Sequence, residues 1–327
     1  MGQEKKKYYI LLAKNTIVSA LLILSLIVVV QTQTVNAQNA GSKSNVPGAV
    51  QPSTASSVQK PPNLEPFANF TKASFVQAGI GLRNVGSGHI SVHVPADAYI
   101  LKAYLYWADL GMPSNKIHLD GEQITGDLIA FDQDPCWGQG KIYVQSADVT
   151  NTLQRRGGPI GDQYISVESG DVTSKSPWDS TPSRPLTESA HLLVIYRDRA
   201  TSGNVIIYQA NGPPITFLGG MTSFTANFSP HTSNQAFVGY ALADGQIFGA
   251  PQSKGFVWST NIFTTLANGQ IYGRDPSITS KASVRGSLSD TQAYDVSANT
   301  PSGTTSAHLR WNFSNDCLTI IYAVVQT

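Results

Sequence analysis

The sequence predicts an all-β chain: an antiparallel β-sandwich, jelly-roll or Greek-key like, with two packed sandwich units. Three observations carry that expectation. From Phe67 onward, apolar residues cluster in short runs rich in β-branched and aromatic types, separated by Gly, Asn, Asp and Pro. Asp-Gly or Asn-Gly pairs sit between strand-like arms at three places. Helical periodicity is almost absent.

Composition sets the outer bounds. Of the 327 residues, 41% are hydrophobic and only 13% charged, which excludes disorder for most of the length. The 22 basic and 21 acidic residues leave a formal charge of +1, so no nucleic-acid partner is expected.

Residues 1–37 read as a signal peptide. Lys5, Lys6, Lys7 and Lys14 form the positive n-region, and Ile17 to Val30 form the apolar h-region. That h-region is short for a membrane span of ~20 residues. Val35-Asn36-Ala37 supplies the small residues of a cleavage site. The rival reading is an uncleaved anchor from Tyr8 to Val30, through which alone the chain would meet a membrane. Either way the remainder is expected to be secreted, or held at the cell exterior by that segment. Removing the peptide turns the balance slightly acidic.

Residues 38–66, rich in Ser, Pro, Gln, Asn and Ala, read as a flexible stalk. Asn211-Gly212-Pro213-Pro214 is the strongest internal break. It divides the folded part into a first unit, 67–211, and a second, 212–327.

Within these bounds the elements follow from pattern. His89 to Val94 alternates, with Ile90, Val92 and Val94 on one face, as a half-buried strand does. Tyr99 to Trp107, Leu192 to Tyr196 and Val205 to Tyr208 are apolar on both faces, so they are expected as central strands covered on two sides. Asp120-Gly121, Asp244-Gly245 and Asn268-Gly269 are expected as hairpin turns, since these pairs tolerate positive φ. One short helix is expected over Ala147 to Gln154, capped by Asp148 or Thr150. The apolar segment Leu318 to Val325 offers an edge for self-association by strand addition.

The order of the runs resembles an uncharacterised secreted β-domain of bacterial and archaeal surface and adhesin-like proteins. The matching pieces are ILKAYLYWADL, IHLDGEQITG, YVQSADVTNTL, SAHLLVIYRDRATSGNVIIYQANG, AFVGYALADG, NIFTTLANG and AHLRWNF, spanning about Ile80 to Val325. The resemblance implies a surface role and carries no catalytic residues.

Candidate sites are few. Cys136 and Cys317 are the only cysteines, and in an exported chain such a pair is expected as a disulfide. It would close a loop of about 180 residues and constrain the unfolded chain by ~5 kcal/mol in the chain-entropy account. Asp132 and Asp134 present alternate carboxylates that suit calcium, the one cofactor considered; a plain turn is the alternative. His89 and His93 share a strand face but lie ~13 Å apart at 3.3 Å per residue, too far to share an ion, so a metal would need His93 paired with His118 or His308 on a neighbouring strand; solvent-facing strand histidines are the alternative. Trp137 and Trp178 are the candidate ligand contacts, Trp178 because it stands in a long polar loop, and Tyr104, Tyr106 and Trp258 complete a conceivable stacking platform for sugars. Asn69, Asn227 and Asn312 begin glycosylation sequons. Glu168 with Asp171 is the best carboxylate pair for glycoside hydrolysis and reads equally as a turn. No G-x-S-x-G elbow occurs.

Three functions follow in order: a non-catalytic secreted or cell-surface protein with a structural or adhesive role, an extracellular carbohydrate-binding module, and a carboxylate-dependent hydrolase. The expected partners are cell-surface components or polysaccharide.

Overall fold

Runs that are apolar on both faces need cover on both sides, and the chain provides it by stacking three antiparallel sheets. The computed structural model describes residues 60–83, 86–135, 138–156, 162–166, 186–243, 255–260, 265–269 and 289–327. The expected signal peptide and most of the expected stalk lie outside these residues. No helix among the described residues is long and apolar enough to cross a membrane.

The strands begin with β1 (Leu64–Thr71), β2 (Ser74–Gly81), β3 (Ser87–Ser91), β4 (Tyr99–Leu110), β5 (Lys116–Leu119) and β6 (Glu122–Thr125). They continue as β7 (Asp127–Gln133), β8 (Lys141–Asp148), β9 (Asp162–Ser166), β10 (Leu186–Arg197), β11 (Asn204–Ala210) and β12 (Thr216–Asn227). The remainder are β13 (Phe237–Ala243), β14 (Gly255–Thr260), β15 (Thr265–Gly269), β16 (Ser289–Asp295) and β17 (Ser306–Gln326). A single α-helix, α1 (Thr150–Arg155), follows β8, and a 3-10 turn, Ser297–Asn299, precedes β17 among the described residues.

The large sheet runs β1-β11-β17-β13-β16, with β12 and β14 also paired to β17 and β15 to β14. The middle sheet runs β2-β10-β4-β8-β7, and the small sheet β3-β9-β5-β6. On β4, Tyr104, Tyr106, Ala108 and Leu110 enter the core shared with the large sheet, whereas Ala103, Leu105 and Trp107 enter the core shared with the small one. β10 divides the same way, Leu193 and Ile195 against Leu192 and Val194. The period of two thus sends alternate side chains into two separate apolar layers. Tyr106 and Tyr322 bridge the first layer with ring centroids 4.8 Å apart. In the second, Ile90, Val92 and Val94 are buried while His89, Ser91 and His93 are exposed, as their alternation predicts.

The expected hairpin at Asp120-Gly121 forms: φ is 50° and 82° at the two residues, and Leu119 pairs with Glu122. Asn268-Gly269 does not turn. Both residues lie inside β15, paired with Val257 and Phe256 of β14, because the arms before them are bound by a neighbouring strand. Asp244-Gly245 lies outside the described residues.

The helix begins later than expected. Ala147 and Asp148 finish β8, paired with Leu105 and Tyr104 of β4, and Asp148 Oδ1 accepts the Thr150 N–H at 2.9 Å. β1 reaches three residues into the expected stalk, since Leu64 is buried and pairs with Ala210.

The segment Leu318 to Val325 offers no free edge. β17 is flanked over this stretch by β13 on one side and by β12 and then β11 on the other, and every residue of it is buried. The same pairing crosses the expected boundary at Asn211-Gly212: β1 and β11 precede it, β13 and β17 follow it, and all four share one sheet. Architectural divisions among the described residues run between layers rather than between halves of the chain.

Candidate functional site

The first half of β10 breaks the apolar rule. Thr187, Glu188, Ser189 and His191 are all 1% exposed or less, although each carries a polar group. Burying such groups is costly unless they find partners, and most of them do.

Ser189 Oγ lies 2.9 Å from His191 Nε2, and His191 Nδ1 lies 2.8 Å from Thr291 Oγ1 on β16. A neutral imidazole donates at one nitrogen and accepts at the other, and two hydroxyls complement either tautomer. Burial pushes the His191 pKa down to about 3, so the ring is uncharged at neutral pH. The space for this contact comes from Gly79 on β2, where a Cβ atom would collide with the Thr291 hydroxyl and the imidazole. Beside it, Gln77 Nε2 donates to the Gln292 carbonyl at 2.6 Å and to the Tyr240 carbonyl at 3.3 Å. A polar seam thereby joins the middle sheet to the large one.

Serine beside histidine is also the geometry of an activated nucleophile. Here the third group is a threonine hydroxyl rather than a carboxylate, and both Ser189 and His191 are fully buried. A ring that protonates only near pH 3 is a weak base.

Three further ionisable groups are enclosed. Asp109 on β4 accepts from the Ser114 N–H at 2.8 Å and the Thr187 hydroxyl at 2.7 Å. Burial pushes its carboxyl up to about 7, and these bonds pull it partly back. Arg83 and Glu188 form an ion pair whose side chains are 2% and 1% exposed.

An open site lies at the margin of the stack. There β2, β3 and β16, each the terminal strand of its sheet, approach one another. The pocket between them has a volume of about 380 Å³. Gln77, Ser74, His93, Tyr196, Phe237 and Gln326 contribute to its lining, and none of the described residues lining it is Asp, Glu, Lys or Arg. Ser74 Oγ donates to Gln326 Oε1 at 2.8 Å, while Gln77 Oε1 is buried and has no hydrogen-bond partner among the described residues.

The residues singled out by sequence are dispersed. Asp132 Oδ2 accepts the N–H groups of Ile215 and Thr216 at 2.8 and 3.0 Å, tying β7 to the start of β12. Asp134 Oδ2 accepts the Gln139 N–H at 2.9 Å and closes its own loop. Among the described residues no three His, Cys, Asp or Glu side chains gather as a metal site. The conceivable aromatic platform is not one: Tyr104, Tyr106 and Trp258 are buried in the core, where strand aromatics gain most from packing. Trp137, Trp178, Glu168, Asp171 and Cys136 lie outside the described residues. Cys317 is 2% exposed and is not a free thiol. Asn69 is exposed on β1, Asn227 is exposed at the end of β12, and Asn312 lies in β17. Glu122 is held by Arg155, Nη2 to Oε1 at 2.6 Å and Oε2 at 2.8 Å.

Neither the seam nor the pocket was singled out in the sequence. The one available signal is the polar stretch Thr187-Glu188-Ser189-Ala190-His191 fused to the apolar run that follows it.

No family model matches the chain, and no curated protein matches it by sequence. Among solved structures it is similar to BuGH86 in complex with neoagarooctaose, at 11% identity and a TM-score of 0.26, over 81% of this chain and 34% of that one. It is similar to BpGH86A, a β-porphyranase of glycoside hydrolase family 86 from Bacteroides plebeius, at 8% identity and a TM-score of 0.26, over 83% of this chain and 37% of that one. The VP2 subviral particle of infectious bursal disease virus gives 10% identity and the same TM-score, over 81% of this chain and 75% of that one. The chain spans about a third of the length of BuGH86 and of BpGH86A. Likeness at this level assigns neither family nor activity.

Proposed function

We propose that the protein is an exported, non-catalytic β-sandwich with a structural or adhesive role at the cell surface. One observation carries this reading: the serine and histidine that are close enough to act together are fully buried, and their polar atoms join sheet to sheet. Enclosed polar contacts of this kind fix the alignment of layers that apolar packing alone would leave free to slide. The apolar h-region near the N-terminus and the paucity of charge support export, and the Cys136–Cys317 bridge belongs to the same reading as a covalent tie.

Surface labelling of intact cells, set against labelling after lysis, tests the location; an exterior protein is labelled in both, and labelling only after lysis overturns the proposal. A fluorophosphonate probe tests the chemistry. Ser189 is expected to remain unmodified in the folded protein, and a covalent adduct at Ser189 would contradict the non-catalytic reading.

A further inference from the structure

We infer that the marginal pocket between β2, β3 and β16 binds a neutral, polyhydroxylated ligand, a short neutral saccharide. The inference rests on the adhesive reading and names what is held.

The lining chemistry selects the class. A volume of about 380 Å³ falls in the range of ~300–1,000 Å³ usual for ligand sites and suits one or two sugar rings. Because none of the described lining residues is Asp, Glu, Lys or Arg, an ionic ligand would shed water without gaining a counter-charge. A wholly apolar ligand would cover the polar edge of the exposed His93 imidazole without pairing it. What remains is a neutral molecule with both hydroxyls and apolar faces. The half-buried rings of Tyr196 and Phe237 offer flat apolar surface for the axial C–H face of a pyranose.

The polar groups are also held in place before any ligand arrives. The Gln77 amide is fixed by two carbonyls of the large sheet. Gln326 is fixed by Ser74. Preorganised groups on strands lose little entropy on binding. Each of the three sheets contributes lining residues, so the pocket exists only in the stacked fold.

Calorimetric titration with short neutral oligosaccharides of glucose, galactose and mannose, alongside the corresponding uronic-acid oligomers, tests this. At least one neutral sugar is expected to bind and the acidic oligomers are not. Tyr196→Ala, at a half-buried position packed against the small-sheet core, and His93→Ala, at an exposed one, are each expected to weaken that binding about tenfold, on the scale of a lost ring contact, with circular dichroism checking that both variants stay folded. Binding of none of the neutral sugars, preference for the acidic oligomers, or binding unchanged in both variants overturns the inference. Adhesion of the same proteins to cell surfaces separates the two readings. Adhesion that persists unchanged in both variants overturns the pocket assignment alone, and a wild-type protein that adheres to nothing overturns both.

Discussion

His191 of β10 and Thr291 of β16 meet across the gap between two sheets, Nδ1 to Oγ1, at 2.8 Å. Their contact is polar, buried and made between residues a hundred positions apart in the chain. It identifies the stacking of sheets, more than any exposed group, as what these polar residues serve.

The histidine makes stability depend on acid. Its pKa is depressed from 6.5 to about 3 in the folded state, so the unfolded chain binds the proton more readily. Stability is therefore full above about pH 6.5 and is lost as pH falls from there toward 3. His191→Gln removes this dependence, and denaturant melts over that range are expected to show a shallower acid slope for the variant than for the wild type.

Asp109 acts in the opposite sense. Its pKa is raised from 3.8 to about 7, so the folded state holds a proton that the unfolded state has released. The stability it contributes is present below pH 3.8 and declines as pH rises through 7. Asp109→Asn cannot ionise. Measured against the wild type between pH 4 and 8, the variant is expected to gain relative stability with each step upward; a constant difference would show that the carboxyl does not titrate there.

Gly79 is required by crowding and Gly121 by conformation. A Cβ at Gly79 meets Thr291 and His191, and Gly79→Ala is expected to cost about 1–3 kcal/mol, as overpacking does. At Gly121 nothing among the described residues lies within 4 Å of a built Cβ, but φ is +82°, and Gly121→Ala is expected to cost about 1 kcal/mol. Urea midpoints separate the two, and only Gly79→Ala should alter the pH slope assigned to His191.

The Arg83–Glu188 pair is enclosed on both sides. Glu188→Leu alone takes the carboxylate away from a buried guanidinium and is expected to destabilise the fold by about 3–5 kcal/mol. Arg83→Met combined with Glu188→Leu removes both charges and is expected to recover most of that loss in thermal melts.

Local pattern carried most of the strands. The alternation of Ile90, Val92 and Val94 is visible in six residues, and the two-sided apolarity of Tyr99 to Trp107 announces a strand with neighbours above and below. Pairing across long separations is not visible. β17 reads in sequence as two pieces, AHLRWNF and LTIIYAVV, yet it is one 21-residue strand touching β11, β12, β13 and β14. A boundary at Asn211 follows from the local break there, and only the β11–β17 pairing reveals that one sheet crosses it. The seam was hidden for the same reason: Ser189, His191 and Thr291 look like strand-surface residues until a second sheet covers them.

The most direct test of the account is an NMR titration of the His191 imidazole in the folded protein. A ring enclosed between the sheets stays neutral from pH 8 down to the limit of folding, with protonation only near pH 3. A midpoint near 6.5, with imidazole shifts typical of a solvated ring, would mean that the seam is open to water and that Ser189 and His191 stand free to react.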